Sequence, residues 1–174
     1  GIQNFSQKQQ QAKPGTRTAL NLSGIDKSQI ARGDVIAWPD SYELTTLMDV
    51  YFRYLPGLSS DFTHNMQVKL FIGASETLAQ ARLLGAESLK PGQEGFLQLK
   101  LSHPVVAVRG DRFILRLPSP SETLGGGSVL DAHPQKLHRR FDKAILRQLS
   151  TLHSGDAIQV LLQTLSELGI VSIG

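Results

Sequence analysis

The sequence predicts a mainly β chain with a C-terminal α-helical extension, and three observations carry that expectation. From Tyr42 to Leu117 short runs of β-forming residues alternate with Gly and Pro turn signals, and helix-period stretches are scarce. Residues 118–135 then become linker-like, with Pro118, Pro120, Gly125-Gly126-Gly127 and Pro134. From Gln135 onward the apolar period turns helical.

The β half is read as Met48–Tyr54, Met66–Ile72, Glu76–Leu84, Glu94–Lys100, Val105–Val108 and Arg112–Leu117, whose number and shortness suggest a barrel. Pro91-Gly92 and Arg109-Gly110-Asp111 are its clearest turns. Before it, Ile2 to Gln11 is strand-like from the first residue, so the chain is expected to start inside a longer protein. Arg17 to Leu22 alternates as a half-buried strand does, and Val35–Trp38 makes another strand closed by Pro39. After the linker, Leu137, Phe141, Ala144, Ile145, Leu149 and Leu152 share one helical face. A second helix is expected from about Asp156 to Leu168, before Gly169 and a further apolar run, Ile170 to Ile173.

Composition narrows the function classes. The chain has 174 residues, 40% of them hydrophobic, enough to bury a core, and its apolar runs are too short for a membrane helix. Zero cysteines exclude disulfides and thiolate metal sites, and fit a cytoplasmic location. A net charge of +3 suits an RNA partner and an ordinary soluble surface alike.

Enzymatic signatures are absent: there is no phosphate loop, N-K-x-D, nucleophile elbow or H-E-x-x-H. The chain is therefore expected not to be an enzyme and to hold no cofactor or metal. Its five histidines lack metal-ligand spacing and are read as surface or turn residues. The triple glycine has no Lys-Ser/Thr after it, which favours a turn in the linker over a phosphate cradle. Arg112 and Arg116 share one face of a strand, either a solvated face or a phosphate-contacting stripe. Lys136, Arg140, Lys143 and Arg147, with Arg139 alongside, would form a cationic stripe on the first C-terminal helix, which suits RNA and an ordinary amphipathic helix equally.

Gly110-Asp111-Arg112-Phe113-Ile114-Leu115-Arg116, followed by Ser119 to Asp131 with its Gly-Gly-Gly-Ser-Val-Leu-Asp ending, resembles the selenocysteine-specific elongation factors, relatives of elongation factor Tu. Gly15 to Leu22 and Ile30 to Asp34 support the resemblance. The resemblance implies an elongation-factor-type β-barrel. Residues 1–40 would be the C-terminal part of the family's domain II barrel and 41–117 the domain III barrel. Residues 118–135 would be a linker, and 136–174 the helical start of a winged-helix region. The GTPase domain, with its GTP and magnesium, would lie outside this chain.

Function by resemblance is binding of selenocysteinyl-tRNA, for delivery to the ribosome by the GTP-dependent whole factor; the ribosome and the selenocysteine-insertion mRNA hairpin would be partners of that factor. Arg17 would face the aminoacyl pocket, where a cation discriminates an anionic selenolate from a serine hydroxyl, with Phe5 standing where the family commonly has histidine. Lys69, Arg112 and Arg116 would contact tRNA phosphates. Two other readings stay open: a barrel of another translational GTPase, and a protein-interaction barrel with no RNA role.

Overall fold

The computed structural model describes residues 1–4, 7–155 and 157–167. They fall into two units that divide after Arg32. Phe5 and the apolar run Ile170 to Ile173 lie outside the described residues, as do Asp156, Leu168 and Gly169.

In the first unit β1 (Ile2–Asn4) pairs antiparallel with β2 (Gln7–Gln9) on one side and β3 (Ala19–Leu20) on the other. The single strand expected from Ile2 to Gln11 is thus two paired strands, and Arg17 to Leu22 contributes only Ala19–Leu20 to the sheet, both exposed. A short 3-10 turn, Lys27–Gln29, is held by a capping box: Asp26 accepts from the Ser28 amide and Gln29 from the Asp26 amide. Val35–Trp38, expected as a strand, has no ladder partner among the described residues, and Trp38 is 86% exposed. The second compact unit begins at Gly33, whose carbonyl accepts from Ser75 Oγ.

The second unit is built on a closed six-stranded antiparallel barrel. Its strands are β4 (Leu44–Tyr54), β6 (Met66–Ile72), β7 (Ser75–Leu84), β9 (Glu94–Val106), β10 (Arg112–Arg116) and β11 (Thr123–Asp131), in the order β10-β11-β4-β9-β7-β6 with β6 returning to β10. A two-stranded flap, β5 (Phe62–Thr63) with β8 (Ser88–Leu89), accompanies it. Alternation decides which residues point inward: Met48, Val50, Phe52 and Tyr54 of β4 meet Val68, Leu70, Leu97, Leu99 and Leu115 in one buried core. Phe62 closes that core, its ring centroid 5.1 Å from Phe52 and 5.7 Å from Tyr54, while the Tyr54 hydroxyl donates to the Ser60 carbonyl.

Two expectations are corrected here. β9 is one strand through Pro104 where two were expected; it changes register against β4 between Lys100 and Val105, so the missing proline N–H interrupts no ladder bond to that neighbour. The expected linker 118–135 contains β11, the strand that closes the barrel. Its triple glycine is no turn, because Gly126 and Gly127 pair with β10 on one edge and β4 on the other. Added Cβ atoms would overlap the carbonyl oxygens of Arg53 at Gly125 and Tyr51 at Gly127, and would stand 2.5 Å from that of Phe113 at Gly126. Only glycine permits this approach of three backbones.

The helical extension also starts later than its periodicity implies. α1 is Lys143–Ser154 and begins where Asp142 accepts from the Ala144 and Ile145 amides. α2 is Ala157–Glu167. Residues 132–142 form an irregular, non-helical arm whose backbone is bonded by the barrel. Gln98 donates to the Lys136 carbonyl and accepts from the His138 amide; Arg82 donates to the His138 carbonyl, and the Gly85 amide to that of Arg140. With these groups satisfied the arm has no need of helical hydrogen bonds. Leu137 and Phe141, expected on the buried helical face, are about half exposed.

The barrel's outer surface supplies two rows for this docking. Asp49, Gln98 and Arg82 stand side by side across β4, β9 and β7 and lie under the arm. Tyr51, Phe96 and Leu84 form the next row, which with Leu130 packs against Ile145, Leu146, Leu149 and Leu152 of α1. His153 stacks on Tyr51 at 3.6 Å, and Arg109 donates to the Leu152 carbonyl at the end of the helix. Arm and helix therefore run out and back across the same three strands.

His138 is 8% exposed, and its Nε2 lies 2.6 Å from Asp49 Oδ2, so it is buried between the arm and the barrel's outer surface and is not the surface residue expected. Burial pushes the Asp49 carboxyl above its ordinary value of 3.8, the bond and charge of His138 oppose the rise, and Asp131 adds to it.

Two predictions follow from closure and docking. Gly127→Ala is expected to destabilise the chain by about 3 kcal/mol or more, whereas Gly110→Ala, a positive-φ turn with open space around the missing Cβ, should cost about 1 kcal/mol; urea unfolding of both variants decides. A carboxyl raised by folding keeps its proton longer in the native chain, so its contribution is most favourable below 3.8 and declines as pH rises through the folded value. The stability of Asp49→Asn minus that of the native chain should accordingly grow as pH increases from about 4 toward neutrality. Denaturant midpoints across that range test it, and a difference that shrinks with pH contradicts the assigned burial.

Candidate nucleic-acid interface

The strand register gathers residues far apart in sequence into a polar depression on the barrel. Gln67 of β6 is opposite Gln80 of β7, and Gln80 is opposite Lys100 of β9, so the three form one outward row. Asn65, in a left-handed conformation with φ 63°, immediately precedes β6, and Ser102 lies two residues beyond Lys100 on β9. These five line a depression of about 370 Å³, with Ala79 and Leu101 at its floor. Their side chains make no hydrogen bond or ion pair to other described residues. No carboxylate is among them. The set offers amide donors and acceptors, a hydroxyl and one ammonium group, which matches phosphate oxygens and ribose hydroxyls.

The predicted residues fall into three groups around it. Lys69 lies two residues beyond Gln67 on the same outer face and is the cross-strand partner of Arg116. Lys69 is ion-paired to Glu76 at 2.8 Å, and Arg116 donates to the Ser121 carbonyl, so both are partly committed within the fold. Arg112 is exposed on the same face of β10, opposite Ser128. Arg112 and Arg116 thus share one face of β10, and the strand register brings Lys69 beside Arg116.

Lys136, Arg139, Lys143 and Arg147 are exposed, but they do not form the expected helical stripe. Lys136 and Arg139 lie on the arm, and only Lys143 and Arg147 belong to α1. Arg140 is withdrawn from the interface: its guanidinium donates to the carbonyls of Ala86 and Glu87, pairs with the Glu87 carboxylate at 3.1 Å and lies 5.0 Å from the Phe141 ring centre. It buttresses the corner where the arm turns into α1.

Arg17 stands by itself in the first unit. It is exposed, two residues before β3, and is not among the residues lining that unit's groove, which runs along Ile2, Gln3, Lys8, Gln9 and Leu20. Among the described residues no group of three or more His, Asp or Glu could hold a metal ion, and no helix is long and apolar enough to cross a membrane.

The groove residues escaped sequence reasoning because their signal is register. Gln67, Gln80 and Lys100 occupy outward positions of three strands, and nothing in their local sequence says that these positions align.

Comparison with known proteins agrees with this architecture. The model of the selenocysteine-specific elongation factor β-barrel domain matches residues 55–136, a range that takes in β11 and the start of the arm. A selenocysteine-specific elongation factor of Desulfomicrobium baculatum is 32% identical over 165 residues, which cover 95% of this chain and 26% of the relative. The chain thus spans about a quarter of the length of that curated relative. It belongs to the selenocysteine-specific elongation factor family, and the match to that family's β-barrel domain takes in five of the six barrel strands, all but β4.

Proposed function

We propose that this chain is a non-catalytic RNA-binding part of a selenocysteine-specific elongation factor and holds selenocysteinyl-tRNA through its sugar-phosphate backbone. The observation that carries the reading is the unpartnered row Gln67, Gln80 and Lys100, with Asn65 and Ser102, adjoining the Lys69–Arg116 surface. Polar side chains left without partners inside the fold are available to an outside ligand, and a carboxylate-free set with an ammonium group favours an anion. Shape and backbone recognition by hydroxyl, amide and cationic groups is how structured RNA is held without base reading. GTP hydrolysis, delivery to the ribosome and contact with the mRNA hairpin would then belong to the whole cytoplasmic factor. In that factor Arg17 would select the anionic selenolate.

Titration of a labelled selenocysteine tRNA transcript at 50 and 200 mM salt tests the reading. Affinity should fall steeply with salt, and Lys100→Ala should reduce the slope of log K against log salt by about 0.7 to 0.9, one phosphate contact. Salt-independent binding, or a Lys100→Ala variant indistinguishable from the native chain, would contradict it. In the complete factor Arg17→Ala should weaken selenocysteinyl-tRNA by about 1–3 kcal/mol and leave seryl-tRNA unchanged. Equal effects on both would remove Arg17 from discrimination.

A further inference from the structure

The arm and the polar depression occupy neighbouring rows of one surface. Gln98, which bonds the arm at Lys136 and His138, precedes Lys100 of the depression by two residues on the same outer face of β9. Successive outward residues on a strand stand roughly 7 Å apart. The same relation holds on β7, where Arg82 under the arm is two residues from Gln80 in the depression. The arm therefore borders the depression along two strands, and its exposed cations Lys136 and Arg139 flank His138, whose backbone is fixed at both its amide and its carbonyl.

The fixing is made by buried polar groups. Gln98 is fully buried, and its Oε1 accepts from Arg82 at 2.7 Å and from the His138 amide at 3.0 Å, while its Nε2 donates to the Lys136 carbonyl at 3.1 Å. Asp49 anchors the His138 ring beside it. α1 packs on the barrel through apolar contacts, and these bonds add one defined backbone path for residues 136–140.

We propose that the arm is the second half of a composite RNA-backbone site, and that Gln98, Arg82 and the Asp49–His138 pair are its positioning residues. They touch no RNA. They hold Lys136 and Arg139 in register with the depression, so that both halves bind one continuous stretch of backbone. This rests on the RNA-binding reading above and adds that the arm's cations work only while the arm is docked.

The test combines salt dependence with a double-mutant cycle on the full 174-residue chain, again with the labelled selenocysteine tRNA transcript. In the native background, replacing Lys136 and Arg139 together by Ala should reduce the salt slope by about 1.5, two phosphate contacts. Gln98→Leu alone should produce a similar reduction while the barrel still unfolds cooperatively, and the two alanine substitutions should then have no further effect. Hydrogen exchange of the residue 136–140 amides should rise in Gln98→Leu. Should Gln98→Leu fail to fold, Arg82→Met, which removes only the bonds to Gln98 and the His138 carbonyl, is read by the same measurements.

A Gln98→Leu chain that keeps the native slope, with the alanine substitutions still fully effective in it, overturns the positioning role and leaves RNA binding standing. Alanine substitutions that are silent in the native chain, while Lys100→Ala is not, overturn the composite site and again leave RNA binding standing. Loss of salt-dependent binding in the native chain overturns both.

Discussion

The approach of β11 to the backbones of β4 and β10 is the constraint on which the rest of this structure depends. Three consecutive glycines let the strand lie where any Cβ would meet the carbonyl oxygens of Arg53, Phe113 or Tyr51. Closure removes the exposed edges that an open five-stranded sheet would present. It also fixes where the chain leaves the barrel, since Asp131 ends β11 opposite Asp49, at one end of the polar row that receives the arm. Docking of the arm and of α1 is thus a consequence of where the closing strand ends.

From closure follows an unequal use of the barrel's outer surface. One row, Tyr51, Phe96 and Leu84, is apolar and covered by α1. The next, Asp49, Gln98 and Arg82, is polar and covered by the arm. A third, Lys100, Gln80 and Gln67, stays open. The chain's net charge of +3 says little about partners, because what bears on RNA is which cations are left uncommitted. Arg140 and Arg82 serve the fold, Lys69 is shared with Glu76, and Lys100, Lys136 and Arg139 face outward. Family membership makes the proposed RNA-binding role coherent, and that proposal places the contact on the open row.

Much of the barrel was legible in the sequence because inward and outward residues alternate. β6 was read with its observed ends, and β4, β7 and β10 were recognised with ends one to four residues off. β11 was not legible, since a glycine run carries no alternation and its flanking prolines imitate a linker. The reason for those glycines lies in Arg53, Phe113 and Tyr51, distant in sequence. The helical start was misplaced for a related reason: Leu137 and Phe141 fit the period, but the backbone they belong to is claimed by Gln98, Arg82 and Gly85. His138 shows no local sign of burial, because its partner Asp49 lies 89 residues away. Of the residues in the candidate interface, the shared face of Arg112 and Arg116 follows from strand alternation, while the pairing of Lys69 with Arg116 and the amide row beside them depend on cross-strand register, which local sequence does not carry.

Amide hydrogen exchange across residues 123–131 tests the central claim most directly. If β11 closes the barrel, the amides of this strand that are bonded to β4 and β10 should exchange only through global unfolding, at the same free energy as the core amides of β4. Rapid exchange through the Gly125–Gly127 segment, with β4 and β9 still protected, would show that the segment is a tether after all and would contradict the closed barrel.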